Sequence, residues 1–190
     1  MADASFRALV VRESDGVYRR AVESRPLDSL PEGDTLVRVQ YSSLNYKDML
    51  SATGSPGITR QYPHTPGIDG AGVVIKSASA DIPVGAEVVV TGYDLGMNTS
   101  GGFAEYVRVP SEWLVPLPDG LTAERAMAYG TAGFTACLSM LAIEDAGVEP
   151  DAGPVLVTGA TGGVGSLAVM LLADAGYDGT AATGRVEHAE

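Results

Sequence analysis

The sequence predicts a β domain over residues 1–120 followed by the opening part of an α/β domain over residues 121–190. Three observations carry this. The first part consists of short valine-rich runs separated by turns, helical spacing takes over near Leu121, and a later apolar strand passes through a glycine-rich turn into an amphipathic helix. A chain of 190 residues with 45% hydrophobic content can bury about one and a half ordinary domains.

The first part reads in order as follows. Phe6 to Arg12 and Val17 to Ser24 form a hairpin across the turn dipeptide Asp15-Gly16. From Asp34 to Tyr41 the pattern alternates, with Val37, Val39 and Tyr41 on one face and Arg38 and Gln40 on the other, the period of a half-buried strand. A short helix is expected from Asn45 to about Ala52. Gly72 to Lys76, Glu87 to Thr91 and Phe103 to Val109 complete the set of strands.

The second part begins with Thr122 as an N-cap, Arg125 standing where a capping box has glutamate. Helical spacing continues through Ala126, Met127, Thr131, Phe134, Leu138 and Leu141, while Gly130 and Gly133 imply a break or a tight contact. Pro154 to Thr158 is a largely apolar strand. A helix follows from Gly163 to Ala175, with Val164, Leu167, Ala168 and Leu171 on one face and Gly176 as its stop. Cys137, the single cysteine, lies among Ala136, Leu138 and Met140 and reads as core. One cysteine excludes a disulfide framework and a cysteine-rich zinc cluster.

The formal net charge is −12, with lysine only at Lys47 and Lys76. Such a field repels nucleic acid and anionic membrane, so neither is an expected partner. No run approaches 18 apolar residues, and Met1 to Phe6 carries Asp3 and lacks a basic apolar leader, so the expected location is the cytoplasm. Any phosphate site must be built locally from backbone amides and a few arginines.

Val155 to Gly165 supplies such a site. Aligned on its last glycine it reads Ala160-x-Gly162-x-x-Gly165, a dinucleotide fingerprint with alanine in the first position. Gly162 lets the backbone approach a pyrophosphate, Gly165 lets the helix pack on its strand, and open amides at the helix start meet the anion. Tight strand-to-helix turns without a ligand collect glycine too. An NAD site carries Asp or Glu about 20 residues on. Here Ala182-Thr183-Gly184-Arg185 offers no carboxylate, while Arg185 and the Thr183 hydroxyl suit a 2′-phosphate, which favours NADPH. The alternative is an exposed arginine after a poor strand, Gly179 to Thr183.

With these residues in view, the chain resembles the medium-chain dehydrogenase/reductase superfamily, in particular its zinc-free quinone oxidoreductase-like branch that includes acryloyl-CoA reductases. The resemblance rests on Ser42-Ser43-Leu44-Asn45-Tyr46-Lys47-Asp48, Pro66-Gly67-Ile68-Asp69-Gly70-Ala71-Gly72, Gly101-Gly102-Phe103-Ala104-Glu105-Tyr106, Gly130-Thr131-Ala132-Gly133-Phe134-Thr135-Ala136 and the fingerprint, in that order. It implies a GroES-like β-barrel catalytic domain, an incomplete Rossmann cofactor-binding domain, and a homodimer for full-length members. The family's zinc enzymes carry Gly-His-Glu at the second segment. Ile68 stands there instead, the expected cysteine ligand near Ser43 to Asp48 is missing, and His64 has no partner at ligand spacing, so no metal is expected.

Hydride must then reach an electrophile activated without a Lewis acid, a conjugated C=C beside a carbonyl or thioester, or a quinone, its developing charge met by hydrogen-bond donors. The resemblance implies that Tyr46 contacts the cofactor, that Thr135 lies near the nicotinamide, and that Ala160, Thr161, Gly162, Gly163, Val164, Thr183, Gly184 and Arg185 hold NADPH. Tyr46 and Asn45 are the candidate catalytic groups, although Asn45 also suits a helix cap. Asp69 could orient a neighbouring donor but fits a structural role. Lys47 and Asp48 read as solvated or locally paired, a catalytic proton relay through Lys47 being the alternative. A doubly wound domain needs about six parallel strands, and two are present. The chain is therefore expected to be the N-terminal portion of such a reductase, or alternatively a non-catalytic fragment with at most weak cofactor binding. Its small-molecule substrate, an acyl-CoA or a quinone, stays open.

Overall fold

The computed structural model describes residues 5–184, and the chain opens on the expected hairpin. β1 (Ser5–Ser14) and β2 (Val17–Pro26) pair antiparallel from Ser5↔Pro26 to Ser14↔Val17. Asp15 and Gly16 both take positive φ, as a two-residue hairpin loop requires.

β3 (Thr35–Tyr41), β4 (Asp69–Ser77), β5 (Glu87–Thr91), β6 (Tyr106–Val109) and β7 (Leu114–Pro116) form an antiparallel sheet in the order β6-β3-β4-β5-β7. The short β7 carries no sequence alternation and was not anticipated. Neighbouring residues of β3 serve two cores. Val37 packs with Val74, Val88 and Val107, whereas Leu36 packs with Phe6, Ala8 and Val10 of the hairpin side. Each valine buried in this way contributes about 1.5 kcal/mol. The register shifts between Val39 and Tyr41, and Tyr41 leaves the expected face and is exposed. Phe103–Glu105 does not join β6; it bridges β1 and β3, with the Leu9 N–H donating to Phe103 O at 2.8 Å and the Val39 N–H to Glu105 O at 2.9 Å.

The chain divides into two compact units, Met1–Gly130 and Thr131–Glu190. The first extends ten residues past the boundary expected at 120, because Ala123, Ala126 and Met127 bury themselves against Ala71 of β4. Thr122 caps this segment as anticipated, its hydroxyl accepting the Arg125 N–H at 3.2 Å. α2 (Ala123–Asp145) is broken at Gly130, where φ 49 and ψ −153 are outside the helical range. By length and composition α2 matches a membrane-crossing helix, with a mean hydropathy of 1.4 over an 18-residue window, although no run of that length is apolar throughout. The break leaves Thr131–Asp145 as the longer continuous piece, short of the roughly 20 residues that a span needs.

In the second unit, α3 (Gly163–Asp174) connects β8 (Val155–Thr158) to β9 (Gly179–Ala182), and the two strands are parallel from Val155↔Gly179 to Thr158↔Ala182. Gly179 to Ala182 is thus a strand despite its weak propensity, since pairing with β8 supplies what its side chains do not. Of the expected apolar face of α3, Leu167, Ala168 and Leu171 are half-buried and Val164 is exposed; Gly165 and Leu172 are the buried positions. Cys137 is exposed, not core. It shares an outward stripe of α2 with Phe134, Leu138 and Leu141, while Ala136 turns inward.

Candidate functional site

Within the first unit, α1 (Tyr46–Ala52) begins at Asn45, the position that the sequence offered as its cap. Asp48, expected to be solvated or paired with Lys47, is instead only 2% exposed. Its Oδ2 accepts the Asn45 N–H at 2.8 Å, and its Oδ1 accepts the N–H groups of Gly67 at 3.1 Å and Ile68 at 2.9 Å. The carboxylate therefore pins the first turn of α1 to the segment leading into β4. Burial pushes the Asp48 carboxyl above the ordinary carboxylate range. Those three N–H groups act against the rise, and the charge of Asp69 adds to it. Lys47 is exposed.

Asp69, the first residue of β4, is fully buried. The Ser43 hydroxyl donates to its Oδ2 and the Thr91 hydroxyl to its Oδ1. Asn45 Nδ2 lies 2.9 Å from the same Oδ2 and 2.8 Å from Ser43 Oγ. Ser42 completes the attachment by donating to the Asp69 carbonyl at 2.8 Å. Gly130 lies against this cluster, where a Cβ would sit 2.7 Å from Asp69 Oδ2 and 2.8 Å from Ser43 Oγ. Tyr46 and Leu44 point outward at 74% and 88% exposure. Ser43 and Thr91 were not singled out from the sequence. They lie 26 and 22 residues from Asp69, beyond the reach of any local spacing rule.

His64 is buried, its Nε2 2.8 Å from the Gly96 carbonyl, and Ile68 is buried beside it in sequence. Among the described residues, no three His, Cys, Asp or Glu side chains gather as a metal site would require.

In the second unit the turn after β8 lies open. Thr161, Gly162, Gly163 and Val164 are exposed, and Ala160 is buried with its N–H donating to Ala182 O at 3.1 Å. Gly165 is buried, and a Cβ there would lie 2.8 Å from Ala160 Cα, the close helix–strand approach that the fingerprint requires. Gly162 is the N-cap of α3 and brings no side chain to it, so no side-chain cap occupies the first-turn N–H groups, which are the groups an anion would use. Thr161 and Thr183, 22 residues apart, meet with their hydroxyls 3.2 Å from one another. Gly184 is exposed beyond them. Arg185 lies outside the described residues. Thr135 is exposed on α2, its hydroxyl donating to Thr131 O at 2.7 Å. A cavity of about 500 Å³ is lined by Val155 to Thr158 of β8, by α2 residues such as Ala136 and Met140 and by α3 residues such as Ala168 and Leu172.

A β-sheet unit with a buried Asp69 cluster, followed in sequence by a parallel strand pair joined through a glycine turn and α3, defines a β domain and the start of a dinucleotide-binding type of α/β domain. Residues 31–119 match the family described as alcohol dehydrogenase GroES-like domain. Acrylyl-CoA reductase AcuI of Ruegeria pomeroyi is 49% identical over 187 residues, covering 97% of this chain and 57% of that protein. The putative quinone oxidoreductase YhfP of Bacillus subtilis is 45% identical over 185 residues, covering 97% and 56%. Among solved structures, the Salmonella enterica yhdH oxidoreductase in complex with NADP superposes with a TM-score of 0.93 at 49% identity over 95% of this chain and 56% of that one. The YhfP structure with NAD bound superposes with a TM-score of 0.94 at 45% identity, over 98% and 57%. The chain belongs to the medium-chain dehydrogenase/reductase superfamily, with a GroES-like domain and part of a second, α/β domain. It spans a little over half the length of these relatives.

Proposed function

We propose that this chain contributes the reducing site and the pyrophosphate seat of a metal-free, NADPH-dependent reductase acting on a C=C conjugated to a thioester or carbonyl, or on a quinone. The observation that carries the reading is the exposed run from Thr161 to Val164 at the uncapped start of α3, together with the lack of a carboxylate in Ala182-Thr183-Gly184. Gly162, Gly163 and Val164 would hold the pyrophosphate by their backbone, with Ala160 and Thr161 shaping the turn. Thr183, Gly184 and Arg185 would favour a 2′-phosphate over two ribose hydroxyls. The fit of the turn supports a dinucleotide, and bound NADPH supplies the hydride.

Tyr46 and Asn45 are the candidate catalytic groups of the first unit, Tyr46 as a nicotinamide contact and Asn45 as a polar group for the reacting carbonyl, and Thr135 is a candidate nicotinamide contact on α2. Relatives named as acrylyl-CoA reductases support an enoyl thioester, and YhfP supports a quinone. Charge does not choose between them. A net charge of −12 gives no long-range attraction to the phosphates of an acyl-CoA, so binding must depend on local contacts.

Titrating the chain with NADPH while following nicotinamide fluorescence tests the reading. A saturable rise, weaker with NADH, is expected; silence at millimolar concentrations would overturn it. A second reading, binding without turnover, draws on the turn alone, since the exposed start of α3 needs no group from the first unit to seat a pyrophosphate. NADPH oxidation with acryloyl-CoA or a benzoquinone then separates a reductase from a binder.

A further inference from the structure

We propose that Ser43 and Asp69 are positioning residues that fix which way the Asn45 amide faces and reserve one of its N–H groups for a carbonyl oxygen of the ligand. The inference rests on the reductase reading of the same site. Three contacts carry it: Asn45 Nδ2 to Asp69 Oδ2 at 2.9 Å, Asn45 Nδ2 to Ser43 Oγ at 2.8 Å, and the Ser43 hydroxyl donating to that same Oδ2.

A carboxylate only accepts hydrogen bonds, so Asp69 must face the nitrogen end of the amide. Ser43 has a single hydroxyl hydrogen, given to Asp69, and toward Asn45 it can only accept. Neither neighbour tolerates the flipped amide. The two acceptors are themselves hydrogen-bonded, so they lie on one side of Nδ2 and share one of its hydrogens. The second hydrogen points roughly 120° away around the planar nitrogen, and no further acceptor for it is found among the described residues. Asn45 is half-buried, so this N–H is held at a surface where a ligand can meet it. An oriented N–H is suited to negative charge growing on a carbonyl oxygen, the charge that hydride addition to an enoyl thioester or a quinone creates. An amide free to rotate would present either end.

Side-chain amide exchange in the 15N-labelled chain tests the geometry without any turnover. The two Asn45 hydrogens should exchange with solvent at rates at least about tenfold apart, the shared one being slower. That gap should collapse in Ser43→Ala and Asp69→Asn and persist in Ser43→Thr. Equal rates in the wild type, or a gap unchanged in Ser43→Ala and Asp69→Asn, would overturn the proposal.

NADPH-dependent turnover supplies the second arm. Ser43→Ala should lower kcat about tenfold with little change in KM for NADPH, and Ser43→Thr should restore most of it. A kcat unchanged by Ser43→Ala, or a loss that merely follows the thermal midpoint and is not restored by threonine, would refute the positioning role. A wild type with the exchange gap but neither NADPH binding nor turnover would sink the reductase reading while sustaining the amide geometry.

Discussion

Gly165, in the first turn of α3, packs so closely on Ala160 that a Cβ would lie 2.8 Å from the Ala160 Cα. Backbone cannot yield there as a flexible side chain could. Gly165→Ala is expected to push α3 away from β8, cost about 1–3 kcal/mol in urea denaturation, and weaken NADPH in the fluorescence titration. Retention of both stability and affinity would mean that the turn is looser than its geometry implies.

Asp48 receives three main-chain N–H groups, from Asn45, Gly67 and Ile68. Asp48→Ala leaves them without their acceptor and should destabilise the first unit by about 3 kcal/mol, measured by denaturant midpoint. Asp48→Asn, which keeps one accepting oxygen, should lie between that variant and the wild type. Its pKa shift has a definite sign. Burial raises the folded pKa, so this group's contribution is fully present below the ordinary carboxylate range and declines as pH rises through the folded value.

His64 behaves in the opposite sense. Burial lowers its pKa from the ordinary 6.5, while the Gly96 carbonyl and the charge of Asp94 pull the other way. The neutral ring is favoured by the fold, so its contribution is present above pH 6.5 and declines as pH falls through the folded value. Comparing urea midpoints at about pH 7.5 and 5.5, the wild type should lose more stability than His64→Gln. Parallel losses would show that His64 does not titrate in that range.

Cofactor choice is read from the segment after β9. Arg185→Ala should weaken NADPH by at least about tenfold while changing NADH little, the loss of a charge-assisted contact to a phosphate. Thr183→Val should act in the same direction and less strongly. Equal losses for both cofactors would remove 2′-phosphate recognition from this segment.

Metal dependence gives a further check. With Ile68 at the position where the family's zinc enzymes carry histidine, prolonged EDTA treatment should leave the thermal midpoint and NADPH binding unchanged. A drop reversed by zinc would reveal a site that residues 5–184 do not display.

Much of this was legible in the sequence because the deciding interactions are local. Asp15-Gly16 specifies its own turn, Asn45 its own helix start, and the run from Val155 to Gly165 a strand, turn and helix. What escaped was long-range. Asp48 reads as a surface charge beside Lys47, and only the approach of Gly67 and Ile68, about twenty residues on, makes it a buried acceptor. Ser43 and Thr91 acquire meaning only once the pairings of β4 with β3 and with β5 bring them to Asp69. The same holds for the start of α2, where an otherwise unremarkable helical turn finds Ala71 to pack on and joins the first compact unit. Cys137 was misjudged from apolar neighbours in sequence, which on a helix point in different directions.

Asp48 holds Gly67 and Ile68 through their main-chain N–H groups, so this clasp does not itself use the side chain at position 68. Within one superfamily, that position could pass from histidine to isoleucine, abandoning Lewis-acid chemistry, without dismantling the scaffold around it. Proline, which lacks the N–H, would remove one of the clasp's bonds. A clasp that ignores side-chain identity lets lineages diverge in catalytic strategy while inheriting the same frame.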